Sequence, residues 1–208
     1  MHPGDFVLTP SWTFHDHGNP GNGPVVWLDV LDVPLMVAID CSYHIDGKTQ
    51  KAGKPAWTYA SGGLAPIRDG ARSNAEYPLL RYPWSRTRAA LSAMATSLPS
   101  REPVLLAYVN PETGADCLNT IAFSVLMLRP GEEASLPRMS AARMLHVVEG
   151  DAQALIGDTV LDLTQSDTAC VPGWTTLKLQ NSSSKAPAFI AMADESPVHR
   201  KLGIFEQR

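Results

Sequence analysis

From residue 106 onward the chain is written in short apolar runs separated by turn residues. Runs at Leu106 to Val109, Ile121 to Leu128, Met144 to Glu149, Ala152 to Ile156, Val160 to Leu163, Thr168 to Val171, Thr175 to Leu179 and Ala188 to Met192 recur every eight to twelve residues. Gly, Asp, Asn or Pro separates most of them, and strand-length runs at that spacing predict an all-β sandwich or barrel. The set suffices for one complete jelly roll. Upstream the pattern changes. Ala89, Ala90, Leu91, Ala93, Met94 and Ala95 are good helix formers, Ser85 is able to cap, and Leu98-Pro99 ends the run, which predicts a helix at about 85–97. Arg86 and Arg88 fall in its first turn, where the macrodipole disfavours cations. They face solvent or pair with an acidic or anionic group. Residues 42–78 lose all periodicity to Gly, Lys, Ser, Asn and Pro and read as a long loop or linker, with a lone His44 that is assigned no role. Val25 to Ile39 reads as one or two strands interrupted at Pro34.

The most informative stretch is Gly4 to Asn19. A turn at Pro3-Gly4-Asp5 leads into the apolar, β-prone Phe6-Val7-Leu8, a second turn falls at Pro10, and His15 and His17 arrive just before Gly18-Asn19. On an extended chain residues i and i+2 share a face, so His15 and His17 project together. Neutral imidazole is the commonest side chain for holding a catalytic transition metal. The pair is either a metal or catalytic pair, or an exposed polar face beside a turn.

Composition narrows the classes. At 208 residues and 44% hydrophobic content the chain is long enough for a packed core. A net charge of −4 without a long basic run argues against nucleic acid and favours a small-molecule partner. Cys41, Cys117 and Cys170 are odd in number and widely spaced, which suggests neither a disulfide framework nor a zinc knuckle and fits a reducing cytoplasm. The apolar runs Val33 to Ile39 and Ile121 to Leu128 are far shorter than the ~18 to 20 residues of a membrane helix, and the N-terminus lacks the regions of a secretory signal.

The order Gly4, five residues, Pro10, four residues, His15, three residues, Asn19 resembles the second cupin motif, whose His is a metal ligand. Together with Val26-Trp27-Leu28-Asp29, Pro78-Leu79-Leu80-Arg81-Tyr82-Pro83-Trp84 and Tyr108-Val109-Asn110-Pro111-Glu112-Thr113-Gly114, it is similar to the gentisate 1,2-dioxygenase family, which includes salicylate and 1-hydroxy-2-naphthoate dioxygenases. The resemblance implies a double-stranded β-helix jelly roll present twice: residues 1–41 as the C-terminal part of a first cupin, 42–105 as a linker whose helix bridges the two, and 106–208 as a second cupin. It further implies a three-histidine Fe(II) centre that binds a small aromatic hydroxy acid and O2 and cleaves the ring, in a homo-oligomer serving aromatic compound catabolism. His15 is then the third metal ligand, His17 lies beside substrate or oxygen, and Asp29 orients a substrate hydroxyl or a neighbouring histidine. The other ligands belong to a His-x-His that the pattern places before Gly4. The chain is therefore expected to be a fragment of a longer dioxygenase or a shortened relative, and inactive alone.

The motif recurs at a constant offset. Asp5, Pro10, Trp12, Thr13 and Asn19 match Asp167, Pro172, Trp174, Thr175 and Asn181, while His15 matches Leu177. The first cupin motif also lies on this barrel, from Gly131 to Gly150, with Pro137, Met139 and Arg143 at its ligand positions. Pro, a cationic Arg, Leu and one thioether make no iron site, so the second barrel is expected to be metal-free. His146, three residues beyond Arg143, is read as a polar residue that alternates outward or is satisfied in the core. The alternative function for the whole chain is a metal-free cupin that binds a small ligand or serves as a structural subunit.

Overall fold

A computed structural model describes residues 1–10, 15–42, 81–99, 102–111 and 113–208. The expected loop at 42–78, with His44, falls almost wholly outside this set, as do Trp12 and Thr13 of the motif. The chain divides into two compact units, Met1–Phe6 with Tyr82–Arg208, and Val7–Arg81.

The first unit holds the jelly roll. Its strands are β3 (Val104–Tyr108), β4 (Ala122–Leu128), β5 (Glu133–Leu136), β6 (Arg143–Glu149), β7 (Ala152–Ile156), β8 (Thr159–Leu163), β9 (Thr168–Val171), β10 (Leu177–Gln180) and β11 (Ala188–Asp194). They form a four-stranded sheet, β5-β10-β7-β8, and a five-stranded sheet, β3-β4-β11-β6-β9, with antiparallel pairing in both. Period-two alternation sends Leu126, Leu145, Val147, Ala154, Ile156, Val171, Leu177, Leu179, Ile190 and Met192 into one core between the sheets.

β4 and β11 are apolar on both faces, and the second face is also covered. Helix α2 (Trp84–Ser97) lays Trp84 and Leu91 against Val104, Val125, Met127 and Phe189. That explains the unbroken apolar runs of these two strands, which a strand with one solvated face would not show.

Helix α2 starts at Trp84 rather than after Ser85. Its first-turn N–H groups find a partner from far away in sequence: the Trp84 amide donates to Asp5 Oδ1 at 2.8 Å, and Asp5 Oδ2 accepts from the His2 amide at 2.7 Å. Arg88 takes the anionic alternative, donating to Glu149 Oε2 at 2.9 Å. The Trp84 indole N–H also donates to Glu149. Gly4, at φ +80°, completes the joint, because a Cβ there would stand 2.6 Å from Trp84 Cγ. Phe6 then packs against Tyr82, Tyr108 and Phe123, with ring centroids 4.4 to 5.5 Å apart.

Two elements of this unit go beyond the expected set. β5 is short and carries Glu133 and Ser135 on its exposed face, so its alternation spans only two apolar positions. Helix α3 (Ser196–Leu202) has Pro in its first turn, His199, Arg200 and Lys201 in its last, and Gly203 in the left-handed conformation at its end.

In the second unit Val25 to Ile39 does not form strands. Residues 25–32 have no regular structure and Val33–Ala38 is a short helix, α1. Pro34 belongs to its first turn, where a missing N–H breaks no helical hydrogen bond, so the residue read as a strand breaker is a helix starter. Strands β1 (Phe6–Val7) and β2 (Arg81–Tyr82) pair as a two-residue ladder.

Candidate functional site

The turn at Asn19 organises the histidine stretch. Asn19 Oδ1 accepts from the Gly21 amide at 3.0 Å, and its Nδ2 donates to the Gly23 carbonyl at 2.6 Å. An Asx turn of this kind replaces backbone hydrogen bonds with side-chain ones and reverses the chain without a ladder. Residues 15–20 have no regular secondary structure, so the expected strand is absent at His15 and His17. Their rings nevertheless come together, 5.6 Å between centroids and nearly perpendicular at 80°. The chain that returns from the turn brings Trp27 onto His17, 5.1 Å between centroids and 14° between planes. His15, His17 and Asp29 are exposed.

Two imidazoles, one edge-on to the other, suit a borderline metal such as ferrous iron by donor type. By number they do not complete a site. No group of three or more His, Cys, Asp or Glu side chains able to hold a metal occurs among the described residues.

The corresponding place in the jelly roll is built differently. Asn181, the counterpart of Asn19, is buried, accepts from the Ser183 amide at 2.9 Å, and donates to the carbonyls of Leu128, Arg129 and Ala186. The same Asx turn thus closes both copies of the motif. Leu177, at the ligand position, is buried in the core and lies in register with Leu136 and Ile156. Met139 is buried too, and its thioether accepts from Arg143 Nη2 at 3.2 Å. Burial pushes the Arg143 guanidinium below its ordinary pKa, and the nearby Asp194 carboxylate opposes that shift. A guanidinium and apolar side chains stand where the motif has metal donors.

His146 projects from the opposite face of β6 to Leu145 and Val147. Its Nδ1 lies 3.1 Å from Thr168 Oγ1, and burial lowers its pKa. It is the satisfied polar residue expected. The contacts of Trp27, Asp5 and Glu149 with His17, Trp84 and Arg88 carried no signal in the sequence, since the partner of each lies on another segment.

The cupin domain family model matches residues 1–31. A gentisate 1,2-dioxygenase from Ralstonia sp is 50% identical over 212 residues, which take in all of this chain and 59% of that protein. A 5-aminosalicylate 1,2-dioxygenase from Comamonas sp is 30% identical over 98% of this chain and 55% of its own length. Among solved structures, a variant of salicylate 1,2-dioxygenase from Pseudoaminobacter salicylatoxidans in complex with gentisate matches with a TM-score of 0.83 and 25% identity, over 99% of this chain and 59% of that one. The fold is that of the cupins, and the chain spans about three-fifths of the length of these relatives.

Proposed function

The chain belongs to the gentisate 1,2-dioxygenase family, and from that premise we propose that it is the part of an Fe(II)- and O2-dependent ring-cleaving dioxygenase, acting on gentisate or a related hydroxybenzoate, that supplies His15 as one iron ligand. The observation that carries this reading is the contrast between the two motif copies. The first keeps two imidazoles in ring contact behind its Asn19 turn, and the second has Leu177 at the same place. A packing role alone does not call for exposed histidines in one copy and a buried leucine in the other.

The described residues do not complete a ferrous site, so no step of the reaction is assigned to a metal held by this chain alone. What the chain contributes is a donor and its surroundings. His15 is the ligand. His17 stands beside it, where an imidazole is suited to hydrogen-bond a phenolic hydroxyl and to exchange its proton. Asp29 is assigned to orient that hydroxyl or a histidine. In this reading residues 1–41 belong to the catalytic cupin, 42–105 link it to the metal-free cupin of 106–208, and the protein works in the cytoplasm as a homo-oligomer. Three free cysteines fit that compartment, and no described helix is long and apolar enough to cross a membrane. The relatives reported above are all dioxygenases by name, and no feature among the described residues favours the ligand-binding alternative.

Oxygen uptake with gentisate and Fe(II) tests the proposal. The 208-residue chain alone should give little uptake. The chain joined to the region of the Ralstonia relative that it does not match should consume oxygen, and His15→Ala should abolish both iron binding and turnover. His17→Ala should keep the iron and slow turnover. Strong uptake by the chain alone, or iron retained after His15→Ala, would overturn the assignment.

A further inference from the structure

We infer that Trp27 is the positioning residue for His17, holding its imidazole edge-on to His15; the inference rests on the reading of these histidines as site residues. The terminal torsion of a histidine is broad and roughly two-fold, so the side chain itself does not choose a ring orientation. Nor does the backbone at His17, which lies in a segment without regular structure, and the ring is exposed. What meets the ring is Trp27 on its face, 5.1 Å away with planes 14° apart, and His15 across an 80° interplanar angle. Near-parallel rings at this separation attract one another. The contact is made possible by the Asn19 turn, whose hydrogen bonds to Gly21 and Gly23 reverse the chain between the two residues.

The chemical consequence follows from where imidazole keeps its polar atoms. Both ring nitrogens lie in the ring plane, so a partner stacked on the face holds the ring and leaves each nitrogen open to a hydrogen bond. A His17 ring released from the indole would swing its nitrogens away from a bound hydroxyl, or compete with His15 for the metal. Small displacements of such groups cost about 100-fold in rate.

Proton NMR of the 208-residue chain with labelled histidine rings tests the stack without any turnover. The carbon-bound ring protons of His17 should be displaced upfield by the indole ring current, with cross-relaxation to both Trp27 and His15. Trp27→Leu should lose the displacement and the His15–His17 contact, and Trp27→Phe should restore both in part. An undisplaced His17, or a His15–His17 contact that survives Trp27→Leu, would overturn the inference. In the joined protein of the oxygen-uptake test, Trp27→Leu should lower kcat about 10- to 100-fold at unchanged iron content, with Trp27→Phe recovering most of it; an unchanged kcat would refute the positioning role. If the unsubstituted joined protein takes up no oxygen while the ring signature is present, the ring-cleavage reading fails and the NMR result alone decides the role of Trp27.

Discussion

At the scale of residues, the same asparagine does one job in two settings. Asn19 makes its turn in solvent, whereas Asn181 makes it in the core, satisfying three carbonyls with one amide group. Removing it leaves those acceptors buried and short of donors, and each such group costs roughly 1–3 kcal/mol. Asn181→Ala should therefore destabilise the jelly roll by about 2–4 kcal/mol in urea unfolding, and Asn181→Asp at least as much, because a carboxylate would then face three carbonyls. The turn at this pair was legible in the sequence because its first hydrogen bond, from the amide two residues on, is local, whereas the bonds of Asn181 to the Leu128 and Arg129 carbonyls, 53 and 52 positions away, were not. The contacts that Trp27, Asp5 and Glu149 make were not legible. Asp5 caps a helix 79 positions away, and the Trp84 indole meets a carboxylate 65 positions away. No spacing rule announces such partners.

Among elements, those built on periodicity were readable and those built on context were not. The runs at Ala152–Ile156 and Thr168–Val171 fell where expected, since each alternates cleanly between a filled and a solvated face. Val33–Ala38 misled because β-branched residues and a proline fit a broken strand as well as a helix start. Helix α1 buries none of its residues, and Val26, Leu31 and Val37 are more than half exposed. A six-residue helix has little stability of its own, and an apolar stretch of this kind marks a surface that becomes covered. The chain should therefore self-associate at micromolar concentration, and light scattering showing a clean monomer would contradict this. The joint between α2 and the sheet makes a separate forecast. Burial works to raise the pKa of Glu149, but hydrogen bonds from Arg88 and the Trp84 indole outweigh it, and the net shift is below the ordinary 4.5. A carboxylate whose folded pKa is depressed contributes stability that is complete above its unfolded pKa and disappears as pH falls through the lower folded value. His146, held below 6.5 by burial, acts in the same direction at milder acidity, because the unfolded chain takes up its proton first. Urea midpoints should thus fall in two stages on acidification, the first flattened by His146→Gln and the second by Glu149→Gln.

For the whole molecule, one motif copy carries two exposed imidazoles and the other a buried leucine, and on the proposed function that contrast predicts the metal content of the complete assembly. In the jelly roll the ligand positions hold Pro137, Met139, Arg143 and Leu177. Leu177 is packed between Leu136 and Ile156 on the neighbouring strands, and the Arg143 guanidinium already donates to the Met139 thioether. A cation entering there would meet a fixed positive charge and a single soft sulfur, a donor set that ferrous iron and zinc do not choose. Interiors are close-packed, so side chains that fill these positions also leave no room for water ligands. The chain joined to the unmatched region of its Ralstonia relative should therefore bind a single iron rather than two, and His15→Ala should remove that one. Reverting the second barrel at Leu177 alone, as Leu177→His, should not create a second site; it should instead bury an imidazole among aliphatic side chains and lower the unfolding midpoint. Iron analysis by mass spectrometry on the joined protein, its His15→Ala variant and its Leu177→His variant separates these outcomes: iron that survives His15→Ala would overturn the assignment of His15 as a ligand, and two irons per chain in the unsubstituted joined protein would overturn the claim that the jelly roll binds none.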